Sequence, residues 1–142
     1  MSADFFDSNV FLYLFDRSAP GKRAISAHLV DAALDTGSGV ISYQVVQDTL
    51  SLLTGKFSTV ATPDDAGAFL DDILSPLWRV MPTARLYREA LRLQDRYGFH
   101  FYDSLIVAAA LETGCDRLLS EDFQHGQRIE GLAVVNPFRD VA

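Results

Sequence analysis

The chain contains one cysteine, Cys115, and its three histidines, His28, His100 and His125, have no spacing typical of a zinc site. A single thiol excludes an internal disulfide and fits a reducing compartment. The longest apolar run, residues 105–111, is far shorter than the roughly 18 residues of a membrane span, and the first residues carry acid where a secretory signal carries base. We therefore expect a soluble cytoplasmic protein in which Cys115 is a small buried hydrophobic residue.

Several familiar catalytic motifs are missing as well. No G-x-x-x-x-G-K-[ST] or G-x-G-x-x-G loop is present, so the sequence does not support a nucleotide cofactor. No G-x-S-x-G segment surrounds a serine, which argues against a serine hydrolase. Basic residues are scarce, because 12 Lys and Arg stand against 19 Asp and Glu for a net charge of −7. This charge argues against nonspecific binding to nucleic acid or to an anionic membrane.

The length and composition predict one domain spanning residues 1–142. The chain is 49% hydrophobic and has ten phenylalanines, which supply enough apolar surface for one packed core. Short apolar segments, which we interpret as strands, alternate with segments of helical periodicity. The apolar segments are residues 5–6, 40–41, 78–81, 117–120 and 133–136. This alternation predicts an α/β fold whose central, mostly parallel sheet has about four or five short strands and is flanked by helices on both faces.

Four carboxylates occupy positions where a solvated charge is unusual. Asp7 and Asp122 each follow an apolar strand, at the edge where α/β sheets bind ligands. Asp103 begins an apolar helical stripe, and Asp48 interrupts another. None has a Lys or Arg at the neighbouring positions of its own element, so a divalent cation would compensate their charge most simply. An all-carboxylate set favours Mg²⁺ or Mn²⁺, although Asp7 or Asp103 taken singly could be a helix cap.

A stripe of arginines occupies one face of a predicted helix. The residues recur at offsets of three, four and four positions, which aligns their side chains. Such a stripe could contact a phosphate backbone. A solvated helix face, partly neutralised by Glu89 and Asp95, explains the pattern at least as well. Both interpretations stay open for Arg85, Arg88, Arg92 and Arg96.

The four acids lie in segments whose order and spacing resemble a known family. The segments are Asp7-Ser-Asn9, Ser42-Tyr-Gln-Val-Val-Gln-Asp48, Tyr102-Asp103-Ser-Leu-Ile-Val-Ala-Ala-Ala110 and Leu118-Leu-Ser-Glu-Asp122-Phe. Over essentially its whole length the chain resembles the PIN-domain nucleases, in particular the VapC toxins of bacterial toxin–antitoxin pairs. The resemblance implies a PIN-like three-layer sandwich and an endoribonuclease that uses Mg²⁺ or Mn²⁺. It also implies an RNA substrate, a cognate antitoxin and a homodimer.

Carried over by position, the resemblance implies metal ligands at Asp7, Asp103 and Asp122. The metal would activate a water molecule for attack on an RNA phosphate. The family has Glu where this chain has Asp48, whose side chain is one methylene shorter. Asp48 would therefore act as a catalytic acid through water, or by holding a second ion.

Further polar and apolar residues near these acids are candidates for supporting roles. Asn9 and Ser120 are expected to support the ligands, and Glu121 is an additional acid beside Asp122. Apolar residues of the N-terminal half could form the core or contact a second copy or an antitoxin; they are Val10, Phe11, Leu14 and residues 50–53.

Two other classes remain possible from the residues alone. A phosphatase similar to the haloacid dehalogenases would use Asp7 as a covalent nucleophile, but it would be expected to carry Asp where this chain has Asn9. A catalytically silent interaction domain would use the same acids only as helix caps. Binding of a cation to the native state separates this last alternative from a metal enzyme.

Overall fold

The computed structural model describes residues 3–141 and contains six strands and seven α-helices in that range. The strands are β1 (Asp4–Phe6), β2 (Gly39–Ser42), β3 (Trp78–Val80), β4 (Arg117–Leu119), β5 (Arg128–Ile129) and β6 (Leu132–Val135). The helices are α1 (Ser8–Leu12), α2 (Pro20–Thr36), α3 (Tyr43–Thr54), α4 (Pro63–Phe69), α5 (Ser75–Leu77), α6 (Ala84–Tyr97) and α7 (Phe101–Glu112). A π-helical segment, Leu70–Leu74, joins α4 to α5.

The six strands form one sheet in the order β3-β2-β1-β4-β6-β5. Neighbouring strands are parallel except for β5 and β6. The chain moves from β1 to β3 in one direction and then crosses back to β4. Because such crossovers are right-handed, α2 to α5 cover one face and α6 and α7 cover the other. This arrangement confirms the expected α/β class and places the carboxyl ends of β1 and β4 side by side, where such sheets bind ligands.

The sheet has one strand more than the largest number expected. The additional strand, β5, has two residues and pairs with β6 through the turn Glu130–Gly131. Both turn residues have positive φ, 52° and 92°, as a type I′ hairpin turn requires. Such turns usually carry Asn-Gly or Asp-Gly, so the glutamate removes the ordinary sequence signal for this hairpin.

The core lies between the sheet and its two helical layers. Phe5, Ile41 and Leu118, from three neighbouring strands, are completely buried. Val10 and Phe11 are buried to the same degree, so of the two uses that the sequence leaves open for them, the structure shows the core. Cys115 is a buried free thiol, as expected.

The starts of three helices position the functional edge of the sheet. Asp7 caps α1, and its Oδ1 accepts a hydrogen bond from the Ser8 N–H at 2.8 Å. Ser42 caps α3 and Thr83 caps α6 through their hydroxyl groups. The helix-cap interpretation of Asp7 is therefore correct, although the same carboxylate also makes other contacts.

Among residues 3–141, every helix is too short or too polar to span a membrane.

Candidate metal centre

Asp7 directly follows β1 and is the most deeply buried acid of the candidate site. Only 5% of the residue is exposed. The Ser120 hydroxyl donates to Asp7 Oδ2 at 2.7 Å, while the Ser8 N–H holds the other oxygen. Burial raises the pKa of Asp7 to about 6 despite these two hydrogen bonds, and the negative charges of Asp122 and Asp103 add to the rise. The ionised carboxylate is therefore destabilised unless a cation approaches it.

Asn9 and Ser120 connect Asp7 to Asp122, as their candidate supporting roles require. Asn9 Nδ2 donates to Asp122 Oδ2 at 3.2 Å and to Ser120 Oγ at 3.4 Å. The backbone N–H of Asp122 also donates to Ser120 Oγ, at 3.0 Å. Asn9 is itself buried, and its Oδ1 has no hydrogen-bond partner among the described residues. The network thus holds two carboxylates and leaves one buried acceptor free.

Asp103 reaches the same group of acids from the first turn of α7. Its side chain is half-buried, and this burial raises the pKa of the carboxyl. The charge of Asp122 raises it further, while His100 lowers it. Within residues 3–141, no Lys or Arg forms an ion pair with Asp7, Asp103 or Asp122. The three carboxylates therefore repel one another without a Lys or Arg side chain to neutralise them.

The donor chemistry of this group fits a hard divalent cation, although the carboxylates do not form a closed cage. Among residues 3–141, no three His, Cys, Asp or Glu side chains are gathered closely enough to hold a metal ion as they stand. All the available ligands are oxygens, the set that Mg²⁺ and Mn²⁺ prefer. Burial raises the pKa of Asp7, and the buried Asn9 Oδ1 has no hydrogen-bond donor among residues 3–141, so both oxygens are poorly compensated. A bound cation would have to draw the carboxylates together.

Asp48 and Glu121 stand apart from these three acids. Asp48 is exposed on α3, so the expectation that it lies within a buried stripe is wrong. Partial burial of its carboxyl raises its pKa, with no contribution from another acid. Glu121 accepts a hydrogen bond from the Tyr13 hydroxyl at 2.5 Å and pairs with Lys22 at 3.3 Å. Its charge is therefore already compensated.

The arginine stripe lies on the exposed side of α6. Arg92 forms ion pairs with Glu89 at 2.5 Å and Glu130 at 2.7 Å, so part of the stripe is neutralised. Arg85 and Arg88 have no ion pair among residues 3–141. Contact of this stripe with RNA stays a prediction that depends mainly on these two residues.

Sequence reasoning missed a second group of residues beside α7. A cavity of about 350 Å³ is lined by aromatic and amide side chains from α3, α6 and the start of α7. Tyr102, which lines it, directly precedes Asp103 in the chain. An aromatic residue beside a candidate metal ligand was the available signal. The sequence does not show that Tyr102 is exposed, and only the folded structure reveals it.

Solved structures with this fold include proteins of toxin–antitoxin systems. A toxin–antitoxin complex from Klebsiella pneumoniae superimposes with a TM-score of 0.68 at 17% identity, over 95% of this chain and 98% of that one. VapC20 of Mycobacterium tuberculosis, a toxin that cleaves the sarcin–ricin loop, gives 0.60 at 20% identity, over 84% and 92%. FitAcB from Neisseria gonorrhoeae gives 0.60 at 19% identity, over 96% and 99%. At these identities the similarity shows a shared fold.

A family model provides the stronger evidence. No functionally curated protein is recognisably similar to the chain in sequence. The model of the PIN domain, however, matches residues 5–128, a range that contains Asp7, Asp103 and Asp122. This match confirms the resemblance and excludes the haloacid dehalogenase alternative. The chain belongs to the PIN domain family.

Proposed function

We propose that this chain is a metal-dependent endoribonuclease and the toxin of a toxin–antitoxin pair. The observation that carries the proposal is the buried Asp7 carboxylate, which is linked through Ser120 and Asn9 to Asp122 and forms no ion pair with Lys or Arg in the described part of the chain. Membership of the PIN domain family supports a nuclease. Similarity to toxin–antitoxin proteins supports the toxin role.

In this proposal Asp7, Asp103 and Asp122 hold Mg²⁺ or Mn²⁺. When bound, the cation supplies an activated water and charge relief at a phosphodiester. The chain contributes orientation, because Ser120 and the Ser8 N–H each fix one oxygen of Asp7. Hydrogen bonds of this kind, made to metal ligands by their neighbours, commonly set metal affinity.

The outer acids have subordinate roles in the proposal. Asp48 acts from the exposed surface of α3 through water, since its carboxylate is not coupled to the other acids. Glu121 does not bind the metal, because Tyr13 and Lys22 already occupy its two oxygens.

An antitoxin that inserts a basic side chain among the three carboxylates is the partner proposed here. Charge-assisted hydrogen bonds from Arg or Lys would compensate the repulsion that the acids otherwise suffer. Such a side chain would compete with the cation for the same oxygens. A homodimer and a cytoplasmic location complete the proposal, and the dimer surface does not include the buried Val10 and Phe11.

Cleavage of RNA by the purified chain tests the enzyme part. We expect discrete cuts in a mixed-sequence RNA with Mg²⁺ or Mn²⁺, and none in EDTA. Asp103→Asn should abolish cleavage, whereas Asp71→Asn, which changes an exposed acid elsewhere, should leave it intact. Cleavage that persists in EDTA or in Asp103→Asn contradicts the metal mechanism. A folded wild-type chain that cuts no RNA with either metal contradicts the nuclease itself.

Expression of the chain alone in a bacterium tests the toxin part. Growth should stop with the wild-type chain and continue with Asp103→Asn at equal protein levels. Normal growth with an enzyme that is active in the tube would separate nuclease activity from toxicity.

A further inference from the structure

The cavity beside the start of α7 has walls with a distinctive chemistry. It measures about 350 Å³ and is lined chiefly by four aromatic rings and two amides, and none of the described residues that line it is charged. The six residues are Tyr43, Gln44, Gln47, Tyr87, Phe101 and Tyr102. We call this cavity the aromatic pocket. One of its lining residues, Tyr102, directly precedes the candidate metal ligand Asp103 in α7.

The side chains of the aromatic pocket contact one another, and these contacts fix the positions of the rings. Phe101 lies nearly parallel to Tyr87, with an interplanar angle of 18° and 6.4 Å between ring centroids. The Tyr43 hydroxyl donates to the Tyr87 hydroxyl at 3.1 Å, which ties α3 to α6. Tyr102 packs edge-on against Phe101 at 5.7 Å. Despite this contact Tyr102 is 70% exposed, so most of its surface touches none of the residues that the structure describes.

The amides add polar groups to this wall. Gln44 Nε2 donates to the backbone carbonyl of Tyr102 at 3.0 Å, which fixes the start of α7 against α3. Gln47 is exposed and lines the same cavity. Stacking faces next to amide donors and acceptors match the two surfaces of a nucleobase, its ring face and its polar edge.

We propose that the aromatic pocket binds one unpaired base of the RNA whose phosphate lies at the metal centre. This inference rests on the proposed ribonuclease function. Exposed aromatic rings stack on splayed-out bases, and glutamine amides bind base edges. The uncharged walls stand beside repelling carboxylates, so the pocket suits the neutral base and not the phosphate.

A second copy of the chain or an apolar antitoxin segment would use this surface differently. Either would cover the amide groups and the phenol hydroxyls, which lose free energy when buried without hydrogen bonds. A base edge supplies such bonds within a cavity of this size. We therefore assign the pocket to RNA, and the oligomeric state becomes a control of the test.

Steady-state cleavage by variants at Tyr102 tests the assignment. Tyr102→Ala should raise KM about tenfold, since stacking on an aromatic ring contributes binding of this order. It should leave kcat nearly unchanged, because Tyr102 lies outside the ligand set, and Tyr102→Phe should restore the wild-type KM. Leu91→Ala is the matched control, as Leu91 is a large exposed side chain of α6 outside the pocket.

A fluorescence measurement tests the pocket without cleavage. An RNA oligonucleotide carrying 2-aminopurine loses fluorescence when that base stacks on an aromatic ring. Scanning the probe along the oligonucleotide should find one position that is quenched by wild-type protein and by Tyr102→Phe, but not by Tyr102→Ala. Light scattering of the same samples should give one oligomeric state for all variants.

The possible outcomes distinguish a failure of the base-binding assignment from a failure of the proposed ribonuclease function. Unchanged KM and unchanged quenching in Tyr102→Ala overturn the assignment even if the wild type cuts RNA. A changed oligomeric state in Tyr102→Ala also overturns it, because the pocket would then be an interface between copies. Quenching that depends on Tyr102 in a protein that cuts no RNA would support the pocket and refute the ribonuclease.

Discussion

At the scale of single residues, the ionisation of Asp7 opposes folding whenever no cation is bound. Its pKa rises from the ordinary 3.8 to about 6 in the folded chain, chiefly through burial. The folded state therefore keeps a proton that the unfolded state has already released. The stabilisation from this proton is complete below the unfolded pKa and is lost as the pH rises through the folded pKa.

Replacing Asp7 by Asn should remove this dependence. In EDTA, we expect Asp7→Asn to gain about 2 to 3 kcal/mol of unfolding free energy relative to wild type between about pH 4 and pH 7. The reason is that only the wild type has a carboxylate to desolvate at neutral pH. Urea unfolding of both proteins across this range measures the difference. A difference that does not vary with pH contradicts the burial of an ionised Asp7.

Ser120 serves both acids through one hydroxyl, which donates to Asp7 and accepts from the backbone of Asp122. Ser120→Ala should therefore destabilise the chain by about 1 to 3 kcal/mol, because it leaves buried polar groups unpaired. Urea unfolding checks this, with Ser51→Ala on the exposed side of α3 as the control. Equal stability of Ser120→Ala and the wild type would mean that water replaces the hydroxyl.

The elements of the fold were predictable where local signals agree with long-range packing. Strands that are covered on both faces appear in the sequence as runs of apolar residues, as around Phe5 and Leu118. The hairpin of β5 and β6 was missed because its turn lacks Asn or Asp. The prediction that Asp48 lies in a buried stripe is wrong because helical spacing shows which residues share a face, but not how much of that face a neighbouring element buries.

A link of side-chain contacts joins the end of α1 and α2 to the loop after β4, and nothing in the sequence predicts it. Tyr13 and Glu121 are 108 positions apart, and Lys22 and Glu121 are 99 apart. Lys22 also lies over the Tyr13 ring, 4.7 Å from its centroid. Only the parallel pairing of β1 with β4 brings these segments together.

This link predicts different roles for two consecutive acids. Glu121→Gln should change the affinity for Mn²⁺ by less than about threefold, because its oxygens already contact Tyr13 and Lys22. Asp122→Asn should weaken it by about tenfold or more, the order seen when groups at a metal site are removed. Isothermal titration with Mn²⁺ compares the two. Similar losses in both variants would place Glu121 among the ligands.

The start of α6 positions Tyr87 and the arginine stripe, and it depends on the Thr83 cap. The Thr83 hydroxyl accepts a hydrogen bond from the Leu86 N–H at 3.1 Å. Thr83→Ala should lower the free energy of unfolding by about 1 kcal/mol, whereas Thr83→Ser should keep most of it. Thermal unfolding of the three proteins measures this order. Equal loss in both variants would show that the methyl group, not the cap, is responsible.

For the whole molecule, the net charge of −7 is distributed unevenly. Asp64, Asp65, Asp71 and Asp72 are exposed along α4 and the π-helical segment, where water solvates them. At the sheet edge, by contrast, the charge of Asp122, itself exposed, raises the pKa of both Asp7 and Asp103. A cation should therefore act at this edge far more strongly than on the general acidic surface. RNA binding should depend on the same cation, because the metal-free edge repels phosphate.

Thermal unfolding with and without divalent cation tests this distribution of charge. A ligand that binds only the native state at about 100 times its Kd adds about 2.7 kcal/mol, which corresponds to a rise in Tm of roughly 5 to 10 °C for a chain of this size. We expect this rise for wild type with Mn²⁺ and for Asp71→Asn, which removes an equal charge from the exposed surface. Asp103→Asn should lose most of it. The rise should also shrink below about pH 6, because protons compete with the metal for Asp7. An equal rise in Asp103→Asn would show nonspecific screening of the acidic surface, and no rise in the wild type would identify a domain that binds no cation.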